Sequence, residues 1–123
     1  MTEKIITIDT KEYYTYATVS EANDYFAASF ASEWSEVSET DKPKLLVTAT
    51  RLIDKKNYQG IKVDEEQHLK FPRIIADEQT DDILVMAACC ELAMNLYFDG
   101  DSSSINGINM KNVQSVSLGD SSI

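Results

Sequence analysis

Residues 82–98 read DILVMAACCELAMNLYF. Ile83, Leu84, Val85, Met86, Ala87, Ala88, Leu92, Ala93, Met94, Leu96 and Tyr97 place apolar side chains on nearly every side of a helix. The pair Asp81-Asp82 opens it, where acids suit the positive end of the dipole. A helix that is hydrophobic all round is either central to its fold or shared with a neighbouring subunit. In a chain of 123 residues, enough for one modest core, the second option is a serious one. Cys89 and Cys90 lie inside the run. Adjacent cysteines rarely bridge, and zinc needs further ligands when His68 is the single histidine, so both are expected to be buried and structural.

Two amphipathic helices lie upstream. Leu45, Leu46, Ala49, Leu52 and Ile53 mark the buried face of one over residues 42–56, with Pro43 near its start, where a missing N–H costs nothing. Its other face carries Lys44, Arg51 and Lys55, either solvated or used for docking. Before it, Thr18-Val19-Ser20-Glu21 has capping-box spacing with Thr18 as N-cap. Ala22, Tyr25, Phe26, Ser29 and Phe30 then recur at helical spacing, predicting a helix over 19–31 with Trp34 as a lid on the core.

Gly60 suits the left-handed turn after the second helix. Residues 61–80 read as irregular, with Gln67-His68-Leu69-Lys70-Phe71-Pro72-Arg73 in their middle. Pro72 forces Phe71 toward an extended conformation, so this motif cannot lie within a helix. Phe71 is expected to drop into a groove between helices as an anchor while Arg73 points elsewhere. At the ends, residues 4–8 are β-prone, Asp9-Thr10-Lys11-Glu12 reads as a turn, and Tyr13, Tyr14 and Tyr16 form an aromatic cluster. Val113, Ser115 and Ser117 against Val116 and Leu118 suggest a terminal strand that pairs with residues 4–8 or with another subunit. The predicted fold class is therefore mainly α: a small bundle of about three helices with an extended FPR-containing loop and short β segments at both ends. Residues 1–98 form the helical domain and 99–123 a flexible loop and tail.

Net charge is −10, unevenly spread. Residues 1–40 carry two basic groups against eight acids, 41–80 eight against seven, and 81–123 one against six. A chain this acidic is repelled by a phosphate backbone, which disfavours broad nucleic-acid binding, although the tyrosine cluster and Phe71 to Arg73 are candidate contacts. No run approaches a membrane span, and MTEKIITIDT lacks a basic-then-apolar signal pattern, so a cytoplasmic origin and no membrane partner are expected. Enzymatic chemistry is poorly supported: there is no glycine-rich phosphate loop, no HExxH and no calcium loop. Asp64-Glu65-Glu66 and Asp81-Asp82 are a conceivable magnesium site, but a solvated loop and a helix start are the preferred readings. No catalytic residue, metal or cofactor is expected.

The order of these blocks resembles a family of small tailed-phage and prophage proteins. Tyr16-Ala17-Thr18-Val19-Ser20-Glu21-Ala22-Asn23-Asp24-Tyr25-Phe26 is similar to its opening motif, and Trp34 follows as in the family. Ala49-Thr50-Arg51-Leu52-Ile53-Asp54, Gly60, the QHLKFPR motif and the Ala87-Ala88 helix then follow in the family's order, over roughly residues 16–97. Phe71 stands where tryptophan is commoner, and Ile83 where a proline often precedes the last helix. The family is sometimes labelled DnaT-like and overlaps with head–tail connector (adaptor, head-completion) proteins. The resemblance implies a structural protein of the virion neck, assembled in the host cytoplasm, that closes into a homo-oligomeric ring of about a dozen copies beneath the portal. Its partners would be the portal protein and tail-side completion proteins, and DNA would pass through the lumen without specific binding. Lys44, Arg51 and Lys55 are then candidates for partner contact, and Leu84, Met86, Leu92 and Met94 for packing between subunits. The alternative under the same label is a replication accessory that binds single-stranded DNA.

Overall fold

The computed structural model describes residues 3–30 and 33–99. The elements run β1 (Lys4–Ile8), β2 (Lys11–Thr15), α1 (Val19–Ala27), a 3-10 turn at Trp34–Glu36, α2 (Asp41–Asp54), β3 (Ile61–Lys62), β4 (Arg73–Ile75), β5 (Glu78–Gln79) and α3 (Asp82–Asp99). β1 and β2 form one antiparallel hairpin, and β3, β4 and β5 a second antiparallel sheet in that order. The fold is thus mixed α/β, which overturns the mainly α expectation.

The physical reason lies in two turns. Asp9 and Thr10 hold φ of 49° and 71°, and Ala76 and Asp77 hold 51° and 68°. Two consecutive positive-φ residues are what a tight hairpin uses to match the twist of its strands, and glycine or asparagine is the usual signal for them. Neither turn carries one. The first places Lys11 and Glu12 in a strand rather than a turn, and makes Tyr13 and Tyr14 members of β2, with Ile6 opposite Tyr13 and Ile5 opposite Tyr14. The second folds the segment read as irregular into strands two or three residues long, too short to show an alternation.

The helices follow the sequence more closely. The Glu21 amide donates to Thr18 Oγ1 at 3.2 Å, and the Thr18 amide donates to Glu21 Oε1 at 3.0 Å, so the capping box is formed. α1 stops at Ala27, short of the expected end, and Phe30 is fully exposed rather than on a buried face. Trp34 packs at 2% exposure, stacked on Phe26 with centroids 5.1 Å apart. Its Nε1 donates to Asn23 Oδ1, as does the buried amine of Lys42.

α2 and α3 form the centre. Leu46, Ala49, Leu52 and Ile53 from α2 meet Val85, Ala88, Cys89, Leu92, Ala93 and Leu96 from α3 in one buried cluster. Cys89 and Cys90 are both free and buried. Burial pushes the Cys89 thiol up to about 11, so it packs as a neutral side chain. Thr50 ties this centre to the hairpin: its hydroxyl donates to Leu46 O at 2.9 Å and accepts from the Tyr16 amide at 3.1 Å. The large apolar residues left exposed on α3 are Ile83 and Leu84 at its start and Phe98 at its end. The expected C-terminal strand and tail lie outside the described residues.

Candidate nucleic-acid interface

The QHLKFPR loop is organised from within by Gln67, which is buried. Its Nε2 donates to Leu69 O at 2.9 Å and Pro72 O at 3.0 Å, and its Oε1 accepts from the Asp64 amide at 3.1 Å. Phe71 is buried between Tyr58 and Tyr16, with ring centroids 4.7 Å and 6.1 Å away in edge-on geometry. The Phe71-Pro72 peptide is cis. Arg73 is a clamp: its guanidinium donates to the backbone carbonyls of Gln59, Lys70, Tyr58 and Gly60. Gly60 is required at the same place, since it sits at φ +81° and a Cβ there would come within 2.0 Å of Ile74 O.

A polar network fastens the loop to α2. The Tyr16 hydroxyl donates to Asp54 Oδ1 and accepts from the Phe71 amide at 3.0 Å, while the Lys70 amide donates to Asp54 Oδ2 at 3.2 Å. Burial raises the Asp54 carboxyl above its ordinary value, against the lowering effect of these two donors. Burial, and then the neighbouring Asp54 charge, pushes the Tyr16 phenol up.

This fastening builds one wall of a surface groove of about 510 Å³, a size typical of small-ligand sites. Tyr13 and Tyr14 of β2 form a second wall, Val47 and Arg51 of α2 with Lys55 at its C-cap a third, and His68 and Leu69 belong to the loop. The His68 ring stacks on Tyr14 with centroids 4.0 Å apart and planes 12° from parallel. The Arg51 guanidinium lies 5.8 Å from the centre of the Tyr13 ring, a cation–π contact. Glu3 braces the histidine from behind: its carboxylate accepts from the His68 and Leu69 amides and lies 2.9 Å from His68 Nδ1. Burial pulls the Glu3 carboxyl up, but the donors from His68 and Leu69 outweigh it and hold the group below its ordinary value.

The residues singled out from sequence therefore separate. Arg51 and Lys55 come together in the groove, one helical turn apart, or about 6 Å along the axis. Lys44 is exposed on the same helix but outside the groove lining. Phe71, Pro72 and Arg73 form an internal anchor whose arginine has four of its donors occupied by backbone carbonyls. Leu92 and Met94 lie in the core of the single chain, Met86 is half-buried, and Leu84 faces outward. Sequence reasoning missed His68 as a partner of the tyrosine cluster, since a ring stack between β2 and a distant loop leaves no local signal. Among the described residues there is no group of three or more His, Cys, Asp or Glu side chains that could hold a metal ion, and no helix long and apolar enough to cross a membrane.

The family model described as "Putative DnaT-like ssDNA binding protein" matches residues 7–120, and the chain belongs to that family. No curated protein and no solved structure matches it.

Proposed function

We propose that this member of the DnaT-like family binds single-stranded DNA in the groove between β2, α2 and the QHLKFPR loop. The observation that carries the reading is the gathering of three ring side chains, Tyr13, Tyr14 and His68, with two cations, Arg51 and Lys55, and one carboxylate, Asp54, in one depression. Single-strand binders combine a cationic track with aromatic faces that take bases of any sequence. The spacing of Arg51 and Lys55, about 6 Å along the helix, suits successive phosphates of an extended strand. The net charge of −10 opposes long-range attraction, so the affinity rests on this local site. With about two phosphates neutralised, the logarithm of the affinity should fall with a slope of about −1.4 against the logarithm of salt. Fluorescence anisotropy of a labelled oligothymidylate, repeated across salt concentrations, tests this. Saturable binding with that slope supports the reading, and no binding at low salt ends it.

A second reading has its own observation: Ile83 and Leu84 are exposed at the start of α3 in a strongly acidic chain. On it, the protein is a head–tail connector whose copies close into a ring under the portal, with Leu84 and Met86 packing between subunits. Lys44, Arg51 and Lys55 would then face the portal protein or tail-side proteins, and an acidic lumen would let DNA slide. Light scattering of the purified chain and electron microscopy of particles made without it separate the two readings. A ring, together with filled heads lying apart from tails, favours the connector.

A further inference from the structure

We propose that the charge on His68 sets the groove's grip on a single strand, so that binding tightens when the ring takes up a proton. This deepens the single-strand-binding reading and rests on it. His68 is the chain's single histidine and its side chain is largely exposed at the groove. Its surroundings fix what a proton does. Nδ1 faces the Glu3 carboxylate at 2.9 Å, and an ionised carboxylate only accepts, so the neutral ring keeps its hydrogen on Nδ1. Nε2 is then an acceptor, which offers nothing to a phosphate oxygen or to a base carbonyl. Protonation turns Nε2 into a charged donor while the Nδ1 contact to Glu3 persists. The stack on Tyr14 holds the ring in place in both states.

The groups facing the ring make this one charge large. Glu3 lies behind it and Tyr14 beneath it, while Arg51 and Asp54 of α2, Lys55 at its C-cap and Tyr13 of β2 share the groove with it. With His68 neutral, the two cations are balanced by Glu3 and Asp54; with His68 protonated, the set carries one net positive charge. One more neutralised phosphate steepens the salt slope by about 0.7 and corresponds to roughly three- to tenfold in affinity at moderate salt.

The test uses the full chain and a labelled oligothymidylate, because thymine carries no group that titrates in the window. Anisotropy titrations at fixed salt between about pH 8 and pH 5.5 should show a three- to tenfold tightening for the wild type and a flat profile for His68→Gln. A wild-type affinity that does not change, or a variant that keeps the tightening, overturns the inference while leaving the binding site itself standing. Absence of binding at every pH removes the reading beneath it as well. An NMR titration of the single histidine's ring signal covers the case of a variant that does not fold. Binding that favours the protonated ring must raise its midpoint when oligothymidylate is added. An unmoved midpoint overturns the proposal.

Discussion

Replacing Arg73 by lysine isolates what the FPR motif is for. The charge is kept, but the planar fork that reaches the carbonyls of Gln59, Lys70, Tyr58 and Gly60 at 2.7–3.3 Å is lost. A single ammonium cannot satisfy four carbonyls spread over two segments, so at least two bonds go. Each is worth about 0.5–1.5 kcal/mol net, and because Arg73 is half-buried, water recovers part of the loss, leaving a cost of about 1.5 kcal/mol. With a urea m-value of about 1.5 kcal/mol/M for a domain of this size, the unfolding midpoint should fall by about 1 M at unchanged m. Trp34, the single tryptophan, is buried against Phe26 and reports the transition by fluorescence. Oligonucleotide affinity should stay at the wild-type value. An unchanged midpoint would refute the clamp. An unchanged midpoint with a large loss of affinity would show that Arg73 contacts the strand instead.

Gly60→Ala must place a methyl 2.0 Å from Ile74 O at a φ of +81°, and the same urea assay should show a loss of about 3–5 kcal/mol or no folding. The double change Ala76→Asn, Asp77→Gly gives the β4–β5 turn residues that tolerate positive φ, and should stabilise the protein by about 1 kcal/mol in thermal or urea unfolding. Glu3→Gln removes a carboxylate whose pKa is lowered in the folded state. Its contribution is present above the unfolded carboxylate value and lost as pH falls, so the variant should be less stable than wild type at neutral pH and converge on it in acid. Asp54, raised by burial, acts in the opposite sense in both proteins and cancels in that comparison.

How much of this was legible depends on how local each signal is. The Thr18–Glu21 box and the Leu46, Ala49, Leu52, Ile53 face are short-range patterns, and both reappear in the structure. β1 and the start of its turn were legible as a β-prone run over residues 4–8 followed by Asp9-Thr10, but the return strand β2 and the second sheet were not, because Asp9-Thr10 and Ala76-Asp77 adopt left-handed turns without glycine and strands of two residues carry no period. α3 shows the limit of a helix that is apolar all round. Nothing in DILVMAACCELAMNLYF distinguishes Leu84, which faces out, from Leu92, which is in the core, because that difference is set by α2 and the hairpin. In the groove, Arg51 and Lys55 could be placed on one helix face by counting. The Tyr14–His68 stack joins residues that meet only after Glu3, Asp54 and Tyr16 have fixed the loop.

The most direct measurement is an anisotropy titration of labelled oligothymidylate with the wild type and with an Arg51→Ala, Lys55→Ala double variant, at low salt. The two cations are exposed, so the variant should keep its fold. Saturable binding by the wild type, weakened tenfold or more in the variant and with a shallower salt slope, is the expected result. Equal affinity in the two proteins, or none in either, would contradict the groove as a single-strand site.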